Sequence, residues 1–169
     1  SKEAPLNAFI LADIIHGCGL PAGVFNLVSG HGREIGEVIS SHPEVDMVSF
    51  TGSTSAGVSV SKAASETVKR VTLELGGKSA NIILDDADIA KASKMAVYSC
   101  FNNSGQECSS LSRLLVPASH RDEIVNIIAT TMERYSVGDP MDESIKCGPM
   151  VSESQQKSVS EYISLGISE

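Results

Sequence analysis

The chain has 169 residues, of which 41% are hydrophobic and 20% charged, and a formal net charge of −8. This balance is typical of a soluble globular protein, and the length allows a substantial core. The acidic charge disfavours nucleic-acid binding, because phosphate contacts need clustered Lys and Arg. No apolar run reaches the roughly 18 residues that could span a bilayer.

The cysteines and histidines indicate no metal site. No pair among Cys18, Cys100, Cys108 and Cys147 has C-x-x-C spacing, and no His lies near a Cys at zinc-finger spacing. A disulfide scaffold would be smaller and richer in Cys. We therefore expect a reducing compartment, the cytoplasm, and no metal.

Helix and strand signals alternate through the first 75 residues. Apolar spacing and turn residues predict a helix from about 6 to 17, a strand at 24–28, a short helix around 35–39, a strand at 45–50, a helix to about 65 and a strand at 70–75. This βαβα rhythm with short glycine-containing turns predicts an α/β fold, with a parallel Rossmann-like sheet flanked by helices.

Gly76 and Gly77 interrupt this rhythm, so we place a domain boundary there, with residues 1–76 in one domain and 77–169 in a second α/β domain. The second domain is predicted to contain a strand at 81–84, a helix from Asp88 to about 102, a strand at 111–116, a helix capped by Ser119 and a last helix around 159–163. The first residues contain no Met and both ends look cut, so we expect a piece of a longer protein.

The first candidate site spans residues 50–57, where a predicted strand turns into a helix. Gly52 lacks a Cβ and lets a ligand approach its backbone, and Ser53 lies where helix N–H groups point outward. This geometry suits a phosphate. On spacing alone, an ordinary strand-to-helix turn with a Ser or Thr N-cap is the favoured explanation, because the stretch is neither G-x-G-x-x-G nor a Walker loop.

The second candidate is Glu74, which lies between two leucines near the end of a strand. A carboxylate at a buried position is costly to ionise, and a pKa raised in this way suits a general base. Pairing with Lys78 or exposure to solvent is an alternative that the residues alone favour at least as much.

The third candidate is Cys108, because it follows a run of polar residues, whereas structural cysteines prefer apolar surroundings. Backbone N–H groups in such a loop could lower a thiol pKa and stabilise an oxyanion. An inert surface thiol is the alternative. We interpret Cys18 and Cys100 as packing residues and Cys147 as a weaker rival in a loop.

The three candidate stretches occur in a specific order: Phe-Thr-Gly-Ser-Thr at 50–54, Leu-Glu-Leu-Gly-Gly-Lys-Ser at 73–79 and Gly-Gln-Glu-Cys at 105–108. Shorter similarities occur at 19–26, 42–46, 85–88, 112–113, 137–140 and 148–149. Each piece is weak, but the ordered set is specific and extends over nearly the whole chain. It resembles the aldehyde dehydrogenase superfamily.

The resemblance implies that the parent protein oxidises an aldehyde to a carboxylic acid with NAD or NADP. Cys108 would attack the aldehyde to give a thiohemiacetal, hydride transfer would leave a thioester, and Glu74 would activate the water that hydrolyses it. The backbone N–H of Cys108 would be one oxyanion donor. The thiol and the carboxylate would then serve one cleft.

The resemblance also assigns cofactor contacts. Gly52, Ser53 and the start of the following helix, with Thr54 and Gly57, would carry the pyrophosphate. Gly32 would lie near the adenosine, and Thr51 and Leu75 would lie beside the nicotinamide. Lys2 falls where many NAD-preferring members have Glu, which leaves NADP open. A small aldehyde is the implied substrate and a homo-oligomer the implied assembly, with no nucleic acid or membrane partner.

Two alternatives remain at this point. In a CoA-acylating relative, CoA would take the acyl group in place of water, and a base such as Glu74 would be less needed. The 169-residue piece could also be a non-catalytic module that at most binds nucleotide. We expect the isolated chain to be inactive, because a second oxyanion donor, an Asn in a Trp-Asn-Phe-Pro-like stretch, does not occur in this sequence.

Overall fold

The computed structural model describes residues 3–169, so the expectations about Ser1 and Lys2, including the hint of NADP, lie outside the described residues. The chain divides into two compact units, Ser1–Leu75 and Gly76–Glu169. We refer to them as the first and second units and describe each by itself.

The first unit is a βαβ arrangement with additional helices before it. Its helices are α1 (Leu6–Gly17), α2 (Glu37–Ser41), preceded by a π-helical turn at Gly32–Gly36, and α3 (Thr54–Ser65), and its strands are β1 (Met47–Gly52) and β2 (Arg70–Leu75). The two strands are parallel, and α3 connects them. A helical crossover is the usual connection between parallel strands.

The core of the first unit is small. Val48 on β1 and Ala64 on α3 are buried. Gly57 allows α3 to approach β2 closely, because a Cβ there would lie 2.9 Å from the Leu75 Cδ2. None of the described α1 residues is buried. The unit therefore rests mainly on the contact of α3 with one face of the strand pair.

The predicted strand at residues 24–28 is wrong. These residues form no helix or strand, and Val24, Phe25 and Val28 are exposed. An extended segment becomes a strand only when a neighbour accepts and donates its backbone hydrogen bonds, and no strand among residues 3–169 pairs with this one.

The second unit also contains a parallel strand pair and three helices. The elements are β3 (Ala80–Ile82), α4 (Ile89–Phe101), β4 (Arg113–Leu115), α5 (Arg121–Met132) and α6 (Glu153–Ser168). Residues 80–82 lie opposite residues 113–115. Helices α4 and α5 pack together. The predicted α/β fold with parallel strands is confirmed in both units.

The core of the second unit is better filled than that of the first. Its buried apolar residues are Ile83, Ala96, Val97, Ile124 and Cys147. Ser93 is also buried, but its hydroxyl donates to the Ile89 carbonyl at 2.7 Å, so no polar group is left unsatisfied. This core fixes α4, the helix that leads directly to Cys108.

The two predicted caps have different outcomes. Asp88 is the N-cap of α4, and its Oδ1 accepts from the Lys91 N–H at 3.0 Å, as predicted. Ser119 does not cap α5. It lies inside a short 3₁₀ turn, and α5 begins at Arg121 without a side-chain cap. A backbone bond from the His120 N–H to the Pro117 carbonyl, 3.1 Å long, shapes this entry instead.

Among residues 3–169, no helix combines the length and the apolar character needed to cross a membrane. No group of three His, Cys, Asp or Glu residues in the same range is arranged to hold a metal ion.

Candidate active site

The carboxyl ends of β1 and β2 bring four of the predicted residues together. In the parallel register Thr51 lies opposite Glu74, and Gly52 lies opposite Leu75. These positions end their strands at the same edge of the pair, directly before α3 on one strand and before Gly76 on the other. The carboxyl edge of parallel strands is the usual location of ligand sites in α/β proteins.

The pleat of the strands separates these four residues into two faces. Leu75 points toward α3, since its side chain meets the position of a Gly57 Cβ. The Phe50 ring lies 2.5 Å from the position of a Gly52 Cβ, on the face that Gly52 shares. Side chains alternate along a strand, so Thr51 and Glu74 project together from the opposite face.

The predicted burial of Glu74 is wrong, because Glu74 is exposed. Leu73 is also 37% exposed, and Leu75 is half-buried. The expectation assumed a strand covered on both faces, but α3 packs on one face of β2 only. The leucines on either side of Glu74 belong to the face that α3 covers, and the Glu74 carboxylate lies on the opposite face.

The start of α3 has the geometry of an anion site. Ser53 is the N-cap, with extended φ and ψ of −74° and 152°, and its Oγ accepts from the Ala56 N–H at 3.3 Å. The N–H groups of Thr54 and Ser55 belong to the first turn, where no helical acceptor is available. No acidic residue lies in that turn. The helix dipole and these N–H groups fit a pyrophosphate.

Gly57 and Gly32 have different surroundings. Gly57 is buried one turn into α3, where its missing side chain makes room for Leu75. Its role in a cofactor site would be close helix–strand packing, as for the third glycine of dinucleotide-binding loops. Gly32 begins the π-helical turn, is exposed, and has no described atom within 4 Å of its Cβ position.

In the second unit, Cys108 lies in a tight turn and is exposed. The turn is closed by the Ser110 N–H, which donates to the Glu107 carbonyl at 3.2 Å, so Cys108 and Ser109 are its central residues. Among residues 3–169, no acceptor is found for the N–H of Cys108. A thiol and an unpaired N–H at one residue can supply a nucleophile and an oxyanion donor.

The segment before Cys108 has an unusual backbone. After α4 ends, Asn103 and Ser104 adopt left-handed conformations with φ of 50° and 57°, and Gly105 follows with φ of 74°. Glycine adopts this region without strain, but two consecutive non-glycine residues persist there only when the surroundings hold them.

Hydrogen bonds from side chains hold this segment. The Glu107 carboxylate accepts from Asn102 Nδ2 at 3.2 Å and from the Ser109 hydroxyl at 3.0 Å, so it connects residues on both sides of Cys108. Ser104 donates to the Gly148 carbonyl at 2.9 Å. Gln106 accepts from the Val151 N–H at 2.9 Å.

Gln106 and Glu107 belong to the sequence motif, but the sequence predicted no role for them. The only local feature that could have suggested a role is that an amide and a carboxylate side chain directly precede Cys108. The partners of Ser104 and Gln106 lie 44 and 45 positions further along the chain. No pattern among neighbouring residues predicts a contact at such a sequence separation.

Two predictions about the other cysteines are corrected. Cys18 is exposed after the end of α1, so it is not a packing residue, and Cys147 is buried in the core of the second unit. Cys100 on α4 is half-buried. Burial raises the pKa of the Cys100 thiol, and the nearby Lys78 ammonium opposes this. Less thiolate makes Cys100 a poorer nucleophile.

Known proteins are similar to this chain in sequence and fold. The model of the aldehyde dehydrogenase family matches residues 1–169. A 3-succinoylsemialdehyde-pyridine dehydrogenase from a Pseudomonas species is 50% identical over 169 residues, which are 100% of this chain and 35% of that protein. The chain therefore spans about a third of the length of this curated relative.

Solved structures are also similar to this chain in sequence and fold. A cysteine-to-alanine mutant of aldehyde dehydrogenase C from Pseudomonas syringae, in complex with NAD+ and octanal, is 47% identical with a TM-score of 0.93; the match covers 96% of this chain and 34% of that one. Gamma-glutamyl-gamma-aminobutyraldehyde dehydrogenase from Burkholderia cenocepacia is 38% identical with a TM-score of 0.95, over 100% of this chain and 34% of that one.

Proposed function

This chain belongs to the aldehyde dehydrogenase family, and we propose that the full-length protein oxidises an aldehyde to a carboxylic acid with NAD or NADP, using Cys108 as its nucleophile. One observation carries the proposal: Cys108 is exposed at the centre of a braced turn, and its own N–H has no other acceptor among the described residues.

In the first step, the Cys108 thiolate attacks the carbonyl carbon of the aldehyde. The new C–S bond pushes the carbonyl electron pair onto oxygen and gives a thiohemiacetal oxyanion. The Cys108 N–H donates to this oxygen. A preorganised donor is most effective here because the negative charge develops only as the bond forms.

The first unit would hold the dinucleotide. The N–H groups of Thr54 and Ser55 and the Ser53 hydroxyl would bind the pyrophosphate, since they form an anion site without a neighbouring carboxylate. Thr51 and Leu75 would lie beside the nicotinamide, and Gly32 near the adenosine. When bound, the nicotinamide supplies the acceptor for the hydride that the thiohemiacetal carbon loses, which leaves a thioester on Cys108.

Glu74 would complete the reaction as general base. Its carboxylate takes a proton from water, the resulting hydroxide attacks the thioester carbon, and the carboxylic acid departs as the C–S bond breaks and the Cys108 thiolate returns. The exposure of Glu74 at the end of β2, on the same face as Thr51, supports this role, because water reaches the carboxylate and Thr51 is a proposed nicotinamide contact.

The proposal extends to the surroundings of the full-length enzyme. It acts in a reducing compartment, the cytoplasm, and forms a homo-oligomer. All four cysteines are unpaired thiols, which suits a reducing compartment. Sedimentation of the full-length protein tests the assembly, and a monomer at micromolar concentration would refute it.

The test is reduced-cofactor absorbance at 340 nm after an aldehyde such as octanal is added to the full-length protein. We expect Cys108→Ala to abolish the signal and Cys18→Ala, which removes another exposed thiol, to leave it unchanged. Turnover that survives Cys108→Ala would refute the nucleophile. Product formed only with CoA would identify the acylating branch, and turnover by the 169-residue chain alone would contradict its expected inactivity.

A further inference from the structure

The Gln106 side chain uses both ends of its amide. Its Oε1 accepts from the Val151 N–H at 2.9 Å, and its Nε2 donates to the Asn103 carbonyl at 3.3 Å. Asn103 begins the left-handed segment, whereas Val151 lies just before α6. One side chain therefore connects the segment that precedes Cys108 to a distant part of the second unit. We call this pair of hydrogen bonds the Gln106 bridge.

Packing alone does not hold this segment. An open cleft of about 660 Å³ borders it, and the residues that line the cleft include Asn103, Ser104, Gln106, Gly148 and Val151. With a cleft on one side, hydrogen bonds must resist relaxation of the strained residues. The Ser104 hydroxyl supplies a second connection, to the Gly148 carbonyl at 2.9 Å.

We propose that Gln106 is a positioning residue that, through the Gln106 bridge, sets the orientation of the Cys108 N–H toward the aldehyde oxygen. This inference rests on the proposed function. Gln106 touches neither the reacting atoms nor the cofactor in this scheme. It acts because it lies two residues before Cys108 and fixes the backbone from which the tight turn starts.

The bridge acts by preorganisation. If it is lost, Asn103 Nδ2 still donates to the Gln106 carbonyl at 3.2 Å and Ser104 still donates to Gly148, but the connection to Val151 is gone. The left-handed residues can then relax in part toward the more favourable right-handed region, and the turn at Glu107–Ser110 changes direction. The thiol stays exposed and reactive, but its N–H no longer points at the position of the oxyanion. Misplacement by about 1 Å is enough to slow an enzymatic step by roughly 100-fold.

The experiment compares Gln106→Met and Gln106→Glu in the full-length protein. Met has nearly the length of Gln but forms neither hydrogen bond, whereas Glu keeps the acceptor for the Val151 N–H. Gln156→Met and Gln156→Glu are the matched controls, because Gln156 is exposed on α6 and makes no side-chain hydrogen bond within the described residues. Melting temperature and the number of Cys108 thiols that iodoacetamide finally alkylates per molecule report the folded fraction of each variant.

Two rates are then measured per active site. One is the acylation rate, as the pre-steady-state burst of reduced cofactor. The other is alkylation of Cys108 by iodoacetamide, with Cys18 in the same molecule as the reference thiol. We expect Gln106→Met to slow acylation roughly 10- to 100-fold, with Gln106→Glu in between and KM little changed. Alkylation of Cys108 should stay within about twofold, because it needs a thiolate but no oriented donor.

The outcomes separate the possible failures. Unchanged acylation in both Gln106 variants would overturn the inference, and so would a parallel loss of alkylation, which would mean that Gln106 acts on the thiol itself. An equal loss in the Gln156 controls would also overturn it. If the wild-type protein forms no reduced cofactor from an aldehyde, or if Cys108→Ala still forms it, the proposed function has failed instead.

Discussion

The candidate residues of the first unit and those of the second unit are held by different kinds of interaction. The first unit uses the backbone: a strand register, a helix N-terminus and two glycines at Gly52 and Gly57. The second unit uses side chains that reach from the Cys108 loop to residues more than 40 positions away. To bind an anion, a site needs only several N–H groups that point toward the same place. A nucleophile must also be held in one orientation relative to the atom that it attacks.

The cores of the two units also differ, in how completely they bury large side chains. The second unit buries large side chains completely, including Val97 at 2% and Ile124 at 1% exposure, whereas the first unit buries only Val48 and Ala64 among its described apolar residues. A loop braced by hydrogen bonds is only as rigid as the elements to which it is tied. The loop that carries Cys108 is therefore attached to the better-packed of the two cores.

The largest expected effect tests whether the first unit contributes to catalysis as well as to cofactor binding. In the full-length protein, Glu74→Gln should slow thioester hydrolysis by roughly 10²- to 10⁴-fold, because a general base contributes about that factor. Acylation should change far less. Rapid-quench measurement of the acyl-enzyme, followed by its decay, checks both steps. Glu66→Gln, at the end of α3, is the control; equal losses in both steps would argue against Glu74 as the base.

The next prediction tests the core of the second unit. Ile124→Ala should lower the free energy of unfolding by about 2–5 kcal/mol, because it leaves a cavity among well-packed side chains. Val125→Ala on the same helix removes a side chain that is 55% exposed and should cost much less. Urea titration followed by circular dichroism measures both. Similar losses for the two variants would mean that α5 is not packed as described.

A smaller effect separates helix capping from ligand binding. Ser53→Ala and Ser152→Ala remove the same kind of N-cap hydrogen bond: the Ala56 N–H donates to Ser53 Oγ on α3, and the Gln155 N–H donates to Ser152 Oγ on α6, each at 3.3 Å. Each should cost about 0.5–2 kcal/mol of stability. Only Ser53→Ala should also weaken NAD binding to the full-length protein, measured by calorimetry. Equal affinity in both variants would remove Ser53 from the proposed pyrophosphate site.

The smallest prediction concerns backbone strain in the first unit. Val68 follows α3 in a left-handed conformation, with φ of 53°, and is 90% exposed. The Val68 and Lys69 N–H groups donate to the Ser65 and Ala64 carbonyls, which forms a Schellman motif, where glycine is preferred.

Val68→Gly should therefore raise the free energy of unfolding by about 1 kcal/mol, whereas Val58→Gly inside α3 should lower it by a similar amount. Thermal denaturation of the 169-residue chain measures both. A destabilised Val68→Gly would show that this strain, like that before Cys108, is held by contacts beyond its own turn.

The sequence alone predicted what depends on neighbours along the chain. The strand at Arg70–Leu75, the Asp88 cap, the start of α3 and the parallel α/β character all follow from local periodicity and cap residues, and the structure confirms them. The ordered motifs, read together, also predicted the family that the comparison then identified.

Features that depend on partners far along the chain became visible only in the folded structure. It left residues 24–28 outside the sheet, because no strand among the described residues pairs with them, and it exposed Glu74, because α3 covers only one face of β2. It also buried Cys147 and joined Gln106 to Val151. Burial and long-range hydrogen bonds depend on two segments that folding brings together. The local sequence of either segment does not predict which other segment it will contact.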